Sequence, residues 1–195
     1  GDLVSVYSHD GTLIGNGHYQ VGSIAVRMLC FDDSEINEAF FVDRLTQAYK
    51  LRQALNLMRA DNNSFRLVHG EGDFLPGLVV DVYGSTAVMQ AHSPGMHFAR
   101  NIIADALTKL PGGIVKNVYY KSETTLPFKA QLDPQNDYII GKFDTDVAVE
   151  NGLKFHVDWL KGQKTGFFVD QRENRSLLEK YAKGRKVLNM FCYTG

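Results

Sequence analysis

The feature that most constrains this chain lies near its carboxyl end: Val187-Leu188-Asn189-Met190-Phe191-Cys192-Tyr193-Thr194-Gly195. These residues read as a buried strand over Val187 to Phe191 that opens into a glycine turn. A doubly wound α/β domain begins a nucleotide-type cofactor site in this way. A second dense block lies shortly before it, Gly162-Gln163-Lys164-Thr165-Gly166-Phe167-Phe168-Val169-Asp170-Gln171-Arg172-Glu173-Asn174-Arg175. It gathers cations, carboxamides and carboxylates around Phe167-Phe168-Val169. That mixture suits a pocket for a flat, charged small molecule. The plainer alternative is a loop entering a helix, with Asp170 as a cap and the phenylalanines as core. On the first reading the chain is the front half of an enzyme, cut where its cofactor pocket starts.

A length of 195 residues admits one large domain or two smaller ones at roughly 100–150 residues each. Hydrophobic residues at 44% exclude a disordered chain. No apolar run approaches the roughly 18 residues of a membrane span, and the first residues lack the pattern of a secretory signal. Cys30 and Cys192 form neither a metal pattern nor a disulfide framework, and the six histidines show no ligand spacing. A cytoplasmic protein without a metal site and without a membrane partner is expected. The net charge of −1 conceals an uneven distribution. Residues 1–150 carry 12 Lys+Arg against 18 Asp+Glu, whereas 151–195 carry 9 against 4. Such a local basic face can attract phosphates, although a solvated helix surface accounts for it equally well.

Short strands are expected at Leu3–Tyr7, Thr12–Tyr19 and Ser23–Leu29, with Asp10-Gly11 as a hairpin turn. Gly15 and Gly17 suggest a bulge or a close backbone approach. This set is too small to close a barrel by itself. Helical spacing follows over 38–58, capped by Asn37 and ending near Ala60, and looks like a connector. The next module, roughly 65–150, holds strands at Phe65–Val68, Leu78–Tyr83, Thr86–Ala91 and Ile114–Tyr120, with a helix over His97–Leu110. Residues 122–143 read as a long polar loop. Asp146–Glu150 and Leu153–Val157 pair across Asn151-Gly152, the strongest short hairpin signal in the chain. A last helix is expected over Glu173–Lys183, ending at Gly184.

Gly162-Gln163-Lys164-Thr165 invites comparison with a phosphate-binding P-loop, but Val157 stands where that pattern needs a glycine. Cys192 could act as a nucleophile, yet at the end of a buried strand cysteine is usually a small apolar filler. Glu71, Asp73 and Asp81 are three carboxylates that could do acid–base work. Their Gly and Pro neighbours point instead to a structural turn.

Taken together, Gly70 to Asp81, Glu150-Asn151-Gly152, Gly162 to Arg175 and Val187 to Gly195 resemble, in order and spacing, the class I S-adenosylmethionine-dependent RNA methyltransferases with an N-terminal PUA domain. The likeness is greatest to the 5-methylcytosine methyltransferases of large-subunit (23S) ribosomal RNA. It implies an α+β and α/β multidomain fold. Residues 1–31 would be a partial PUA β-barrel and 32–64 a connecting helix. Residues 65–150 would form a central strand-strand-helix-strand-strand domain, and 151–195 would start a Rossmann-like methyltransferase domain.

The same resemblance implies S-adenosylmethionine as cofactor and large-subunit ribosomal RNA as partner, with a homodimer as a further expectation. Cofactor-binding residues would be Lys164, Thr165, Phe168, Asp170, Gln171, Asn174, Asn189, Phe191, Tyr193 and Gly195. No catalytic residue is expected in this chain, because the family's nucleophilic cysteine lies beyond the matching stretch; many relatives have Ser where Cys192 stands. The implied chemistry is thiolate attack on C6 of a flipped cytosine and methyl transfer to C5, with residues 1–195 inactive alone. Two alternatives remain open here: a non-catalytic PUA-type RNA-binding module, and a methyltransferase with another target such as guanine N7.

Overall fold

The computed structural model describes residues 1–142 and 146–190. The alternating N-terminal segment folds into β1 (Leu3–Tyr7), β2 (Leu13–Tyr19) and β3 (Val26–Cys30), an antiparallel sheet in that order. Gly15 is required where it stands: its φ is +153°, and a Cβ there would strike the Cys30 backbone. The register slips beside it, between Asn16 and Gly17, as a bulge does. No closed barrel forms among the described residues. The partial barrel expected over residues 1–31 is not seen; a three-stranded sheet stands in its place.

Helix α1 (Glu38–Ala54) starts where Asn37 accepts a hydrogen bond from the Phe40 N–H at 3.1 Å. It is more than a connector. Phe41, Leu45, Ala48 and Tyr49 enter the main core, against a five-stranded sheet of order β4-β5-β6-β7-β8. Those strands are β4 (Ser64–His69), β5 (Leu78–Tyr83), β6 (Thr86–Ala91), β7 (Asn117–Tyr120) and β8 (Asp137–Ile140). All neighbours are antiparallel except β6 and β7, which run parallel. Helices α2 (Pro94–Phe98) and α3 (Arg100–Thr108) make the crossover that a parallel pair demands.

Period-2 alternation sends the side chains of this sheet to two cores. Val80, Val82, Ala87, Met89 and Val118 meet α1 and α3. Tyr83, Val88 and Tyr119 face the other way, onto Ala148, Val157, Trp159, Phe167 and Val169. That second layer comes from the hairpin β9 (Asp146–Glu150) and β10 (Leu153–Val157) and the chain after it. Asn151 and Gly152 both have positive φ, at +50° and +80°, as a two-residue primed turn needs. Helix α4 (Arg172–Ala182) follows, with no buried residue.

Four expectations change. The single helix over 97–110 is two, broken at Ala99. The strand expected from Ile114 begins at Asn117, because pairing with β6 starts there. The stretch 122–143 is not all loop. Asp137–Ile140 pairs with β7, a contact too distant in sequence for local pattern to reveal. Residues 187–190 form no strand: Val187, Leu188 and Met190 are 52%, 85% and 68% exposed. A strand exists by pairing with a neighbour, and no described strand lies beside this segment. Phe191 lies outside the described residues.

The N-terminal sheet meets the body at His18, whose ring packs so closely on Gly95 of α2 that a Cβ there would collide with it. His18 is buried, and its Nδ1 has no partner among the described residues. Burial first, then the nearby terminal ammonium, lower its pKa from the ordinary 6.5 to about 4. The native state therefore holds the proton less tightly than the unfolded chain does. The stability this histidine contributes is complete above pH 6.5 and drains away as pH falls towards 4. By pH 4.5 the loss from His18 alone is about 2 kcal/mol. Urea midpoints at pH 7.5 and 4.5 should fall further apart for the wild type than for His18→Gln.

Candidate functional site

The block from Gly162 to Arg175 is bolted down at three places, two on the five-stranded sheet or its margin and one on the β9–β10 hairpin. At its start, the Lys121 ammonium donates to the Gly162 carbonyl at 2.5 Å. Next comes a tight turn in which the Gly166 N–H donates to the Gln163 carbonyl at 2.8 Å. Gly166, at φ +116°, lies against the Trp159 backbone with no room for a side chain. Lys164 takes the left-handed conformation at φ +52°, which is rare for a residue with a Cβ.

The second anchor is Asp81, fully buried in the middle of β5. Arg66, its cross-strand partner in β4, donates to it twice, through Nε at 2.9 Å and a terminal nitrogen at 3.0 Å. Thr165 donates its hydroxyl to the same carboxylate at 2.6 Å. The Tyr83 hydroxyl lies 2.8 Å from Thr165 Oγ1 and donates to the Phe167 carbonyl at 3.1 Å. Burial pushes the Tyr83 phenol far above its usual pKa, so it stays a neutral donor. Trp159, also fully buried, stacks on Tyr83 and donates Nε1–H to the Tyr138 hydroxyl at 3.0 Å.

The third anchor is Glu150 at the end of β9, 2% exposed. Arg175 of α4 donates to both its oxygens, at 2.6 and 2.7 Å, and also to the Phe168 carbonyl at 2.8 Å. Its guanidinium sits 4.3 Å from the centre of the Phe167 ring. Arg172 approaches Glu150 at 3.8 Å and donates to the Ser64 carbonyl at 2.6 Å. Such buried charges persist only when they are paired and their remaining lone pairs satisfied.

With the inward groups committed, the outward face is defined. Lys164, Asp170, Gln171 and Asn174 are exposed, and Phe168 is half-buried. Asn174 donates to the Gln171 side chain at 2.7 Å, and Gln171 in turn donates to Asp170 at 3.2 Å. Thr165, expected to face a ligand, turns inward to Asp81 instead. Asn189 is exposed in a segment without regular structure. Phe191, Tyr193 and Gly195 lie outside the described residues, as does Cys192. Asp73 and Asp81 are held in buried ion pairs, with Arg52 and Arg66, whereas the Glu71 carboxylate is exposed. Glu71 pairs with Arg27 at 2.9 Å.

Positive charge collects beside this face. Lys164, Arg66 and Arg27 all act through space on His92, whose pKa is lowered by burial first and then by these cations, with Glu71 opposing them. Arg66 also feels Asp170. His92, on which Lys164 acts, lines a groove of about 190 Å³ together with Arg27, His69 and Glu71.

The anchors Asp81, Arg66 and Glu150 were not expected as site residues. A clue was present: a charge inside the apolar run Leu78-Val79-Val80-Asp81-Val82-Tyr83, and another in Phe65-Arg66-Leu67-Val68, must each be paired if buried.

The fold is mixed α/β, with the 162–175 segment fastened across its sheets. Residues 121–195 match the family described as S-adenosylmethionine-dependent methyltransferase. Over its whole length the chain is similar to part of proteins described as ribosomal RNA large subunit methyltransferase I. It is 40% identical over 198 residues to that of Alteromonas mediterranea, covering 100% of this chain and 49% of that protein. It is 38% identical over 200 residues to that of Aeromonas hydrophila, covering 100% and 50%. The chain thus spans about half the length of the curated relatives it matches. Among solved structures, a Streptococcus mutans protein provisionally described as a SAM-dependent methyltransferase superposes with a TM-score of 0.75. The identity is 18%, over 93% of this chain and 46% of that one. SMU.776, provisionally described as a methyltransferase and solved with SAH, gives 0.74 at 19% identity, over 91% and 44%. At such identities the likeness is one of fold.

Proposed function

We propose that the protein is an S-adenosylmethionine-dependent methyltransferase of large-subunit ribosomal RNA, acting on C5 of a cytosine. One observation carries the reading. The stretch matching the methyltransferase family contains the polar rim Lys164, Asp170, Gln171 and Asn174, held on a frame of two buried carboxylates. The donor set fits the cofactor's chemistry. Lys164 can meet its carboxylate and Asp170 its ammonium, while Gln171 and Asn174 can meet hydroxyl or amide groups and Phe168 an apolar edge. Bound S-adenosylmethionine supplies an electrophilic methyl on a sulfonium. The task of these residues is to bind and orient it, which is where much of an enzyme's rate gain arises. Residues 1–31 would then make PUA-type RNA contacts, 32–64 and 65–150 would support the site, and 151–195 would open a Rossmann-like domain.

Calorimetric titration of S-adenosylmethionine into the protein tests the cofactor. Asp170→Ala should weaken binding about tenfold, the loss of one charge-assisted hydrogen bond, without moving the melting temperature, since Asp170 is exposed. Absence of cofactor binding in the wild type would remove the methyltransferase reading and leave an RNA-binding module. Residues 1–195 alone should give no turnover, so nucleoside mass spectrometry after methylation of large-subunit RNA by the full-length protein tests the target. 5-Methylcytosine is expected, and 7-methylguanine would transfer the activity to guanine.

A further inference from the structure

On the far side of Arg27 and Glu71, the groove beside His92 continues into a second hollow of about 400 Å³. Its walls are Ile24, Met28, Phe31, Phe74 and Pro76, with Arg27 and Glu71 shared between the two. Phe31 is 74% exposed and Phe74 60%. The exposure of Phe74 is not incidental to a loose loop. Phe74 sits between Asp73, buried on Arg52, and Leu75, fully buried. Its backbone is held in the left-handed region at φ +56°, a position where a bulky aromatic residue is a genuine outlier. Strain retained between two fixed neighbours points to a side chain kept outward for a purpose. Arg44 lies 5.4 Å from the centre of its ring.

Arg27, Arg66 and Lys164 all act on His92, in the groove that shares Arg27 and Glu71 with this hollow, and Arg44 acts on Asp32. Two exposed aromatic rings beside these cations match an unpaired nucleic acid strand, whose bases stack while its backbone follows positive charge. A duplex keeps its bases stacked inside and would not use the rings.

We propose that the groove walled by Phe31, Phe74 and Arg27 holds an unpaired stretch of RNA, stacked on the two phenylalanines, with its backbone led past Arg27 towards Lys164. The proposal rests on the RNA methyltransferase reading for the identity of the polymer. Glu71 is then a gate on Arg27: its 2.9 Å ion pair competes with phosphate for the same guanidinium.

The test is fluorescence anisotropy with a labelled single-stranded RNA dodecamer and the same sequence as a duplex, over a range of salt concentrations. The single strand should bind at least tenfold more tightly. Phe74→Ala should weaken it about tenfold, the loss of one stacked base. Phe74→Gly, which accepts the left-handed backbone, should do the same with unchanged or higher melting temperature. Arg27→Gln should reduce the slope of log affinity against log salt by about 0.7, and Glu71→Gln should tighten binding. Opposite effects at positions 74 and 71 are what a merely structural turn would not give. Preference for the duplex, or wild-type affinity in both Phe74 variants, overturns the proposal. A concentration-dependent dimer lost in the Phe74 variants also overturns it, by making the shelf a protein contact. S-adenosylmethionine titration on the same samples separates the two readings. Cofactor binding without single-strand binding sinks the shelf alone, and the reverse sinks the methyltransferase reading alone.

Discussion

Asp81→Ala should destabilise the protein by about 3 kcal/mol and release the 162–168 segment from the sheet. Removing one partner from a buried ion pair typically costs about 3–5 kcal/mol. The lower end applies because the Arg66 side chain is 35% exposed and can turn to water. The loss is larger than that of one ion pair in another respect. Thr165 loses its acceptor, and the Tyr83–Thr165 contact beneath the turn loses its fixed end. Chemical denaturation reads the first effect, and amide hydrogen exchange over 162–168 reads the second. Tyr83→Phe, which keeps the ring stacked on Trp159 and removes only the hydroxyl, should cost about 1 kcal/mol. Arg66→Met combined with Asp81→Leu should recover much of the stability, since no buried charge is left unpaired, while Thr165 stays unanchored. Loss of cofactor affinity in that stable double variant would separate positioning of Lys164 from stability. Wild-type exchange rates over 162–168 in Asp81→Ala would mean that the turn holds its shape without the carboxylate.

What the sequence discloses and what it hides divide along a physical line. Features set within a few residues are legible. Asn37 caps α1, Asn151-Gly152 turns the β9–β10 hairpin, and Gly15 allows the close approach of β2 to β3. Each depends on local backbone preference, which residue type encodes directly. Features set by distant pairing are not. Asp137–Ile140 is too short and too polar at its start to announce itself, and becomes a strand only because β7 offers its edge. Val187 to Met190 shows the converse, with strong strand composition and no described neighbour to pair with.

The same line runs through the site. The density of polar groups in Gly162 to Arg175 marks it as special. Which of them face outward is decided by residues far away in the chain. Asp81 meets Thr165 across 84 positions, and Glu150 meets Arg175 across 25. Thr165 and Lys164 are adjacent and look equally suited to a ligand. The fold spends one on the frame and leaves the other exposed.

Glu150 makes the strongest demand on that frame. Glu150→Ala should cost about 4 kcal/mol, because it strands Arg175 and weakens the hold on Arg172 together. Burial already lowers the Arg172 pKa, and Glu150 is the first group that opposes the shift; without it that guanidinium loses its main compensation. Helix α4 has no buried residue of its own, and its Leu177, Leu178 and Tyr181 join neither hydrophobic core. Its attachment therefore runs through Arg172 and Arg175. The helix should fray first, and Gln171 and Asn174, which bracket its first turn, should lose their alignment with Asp170. Circular dichroism should record lost helix before the main unfolding transition, and cofactor affinity should fall more than tenfold. Glu150→Gln keeps one acceptor for Arg175 and should lie between the two, near 2 kcal/mol. Arg175→Met, which retains the packing on Phe167 but not the charge, measures the pair by a double-mutant cycle with Glu150→Gln. A coupling energy near zero would show that α4 is held by something other than this carboxylate.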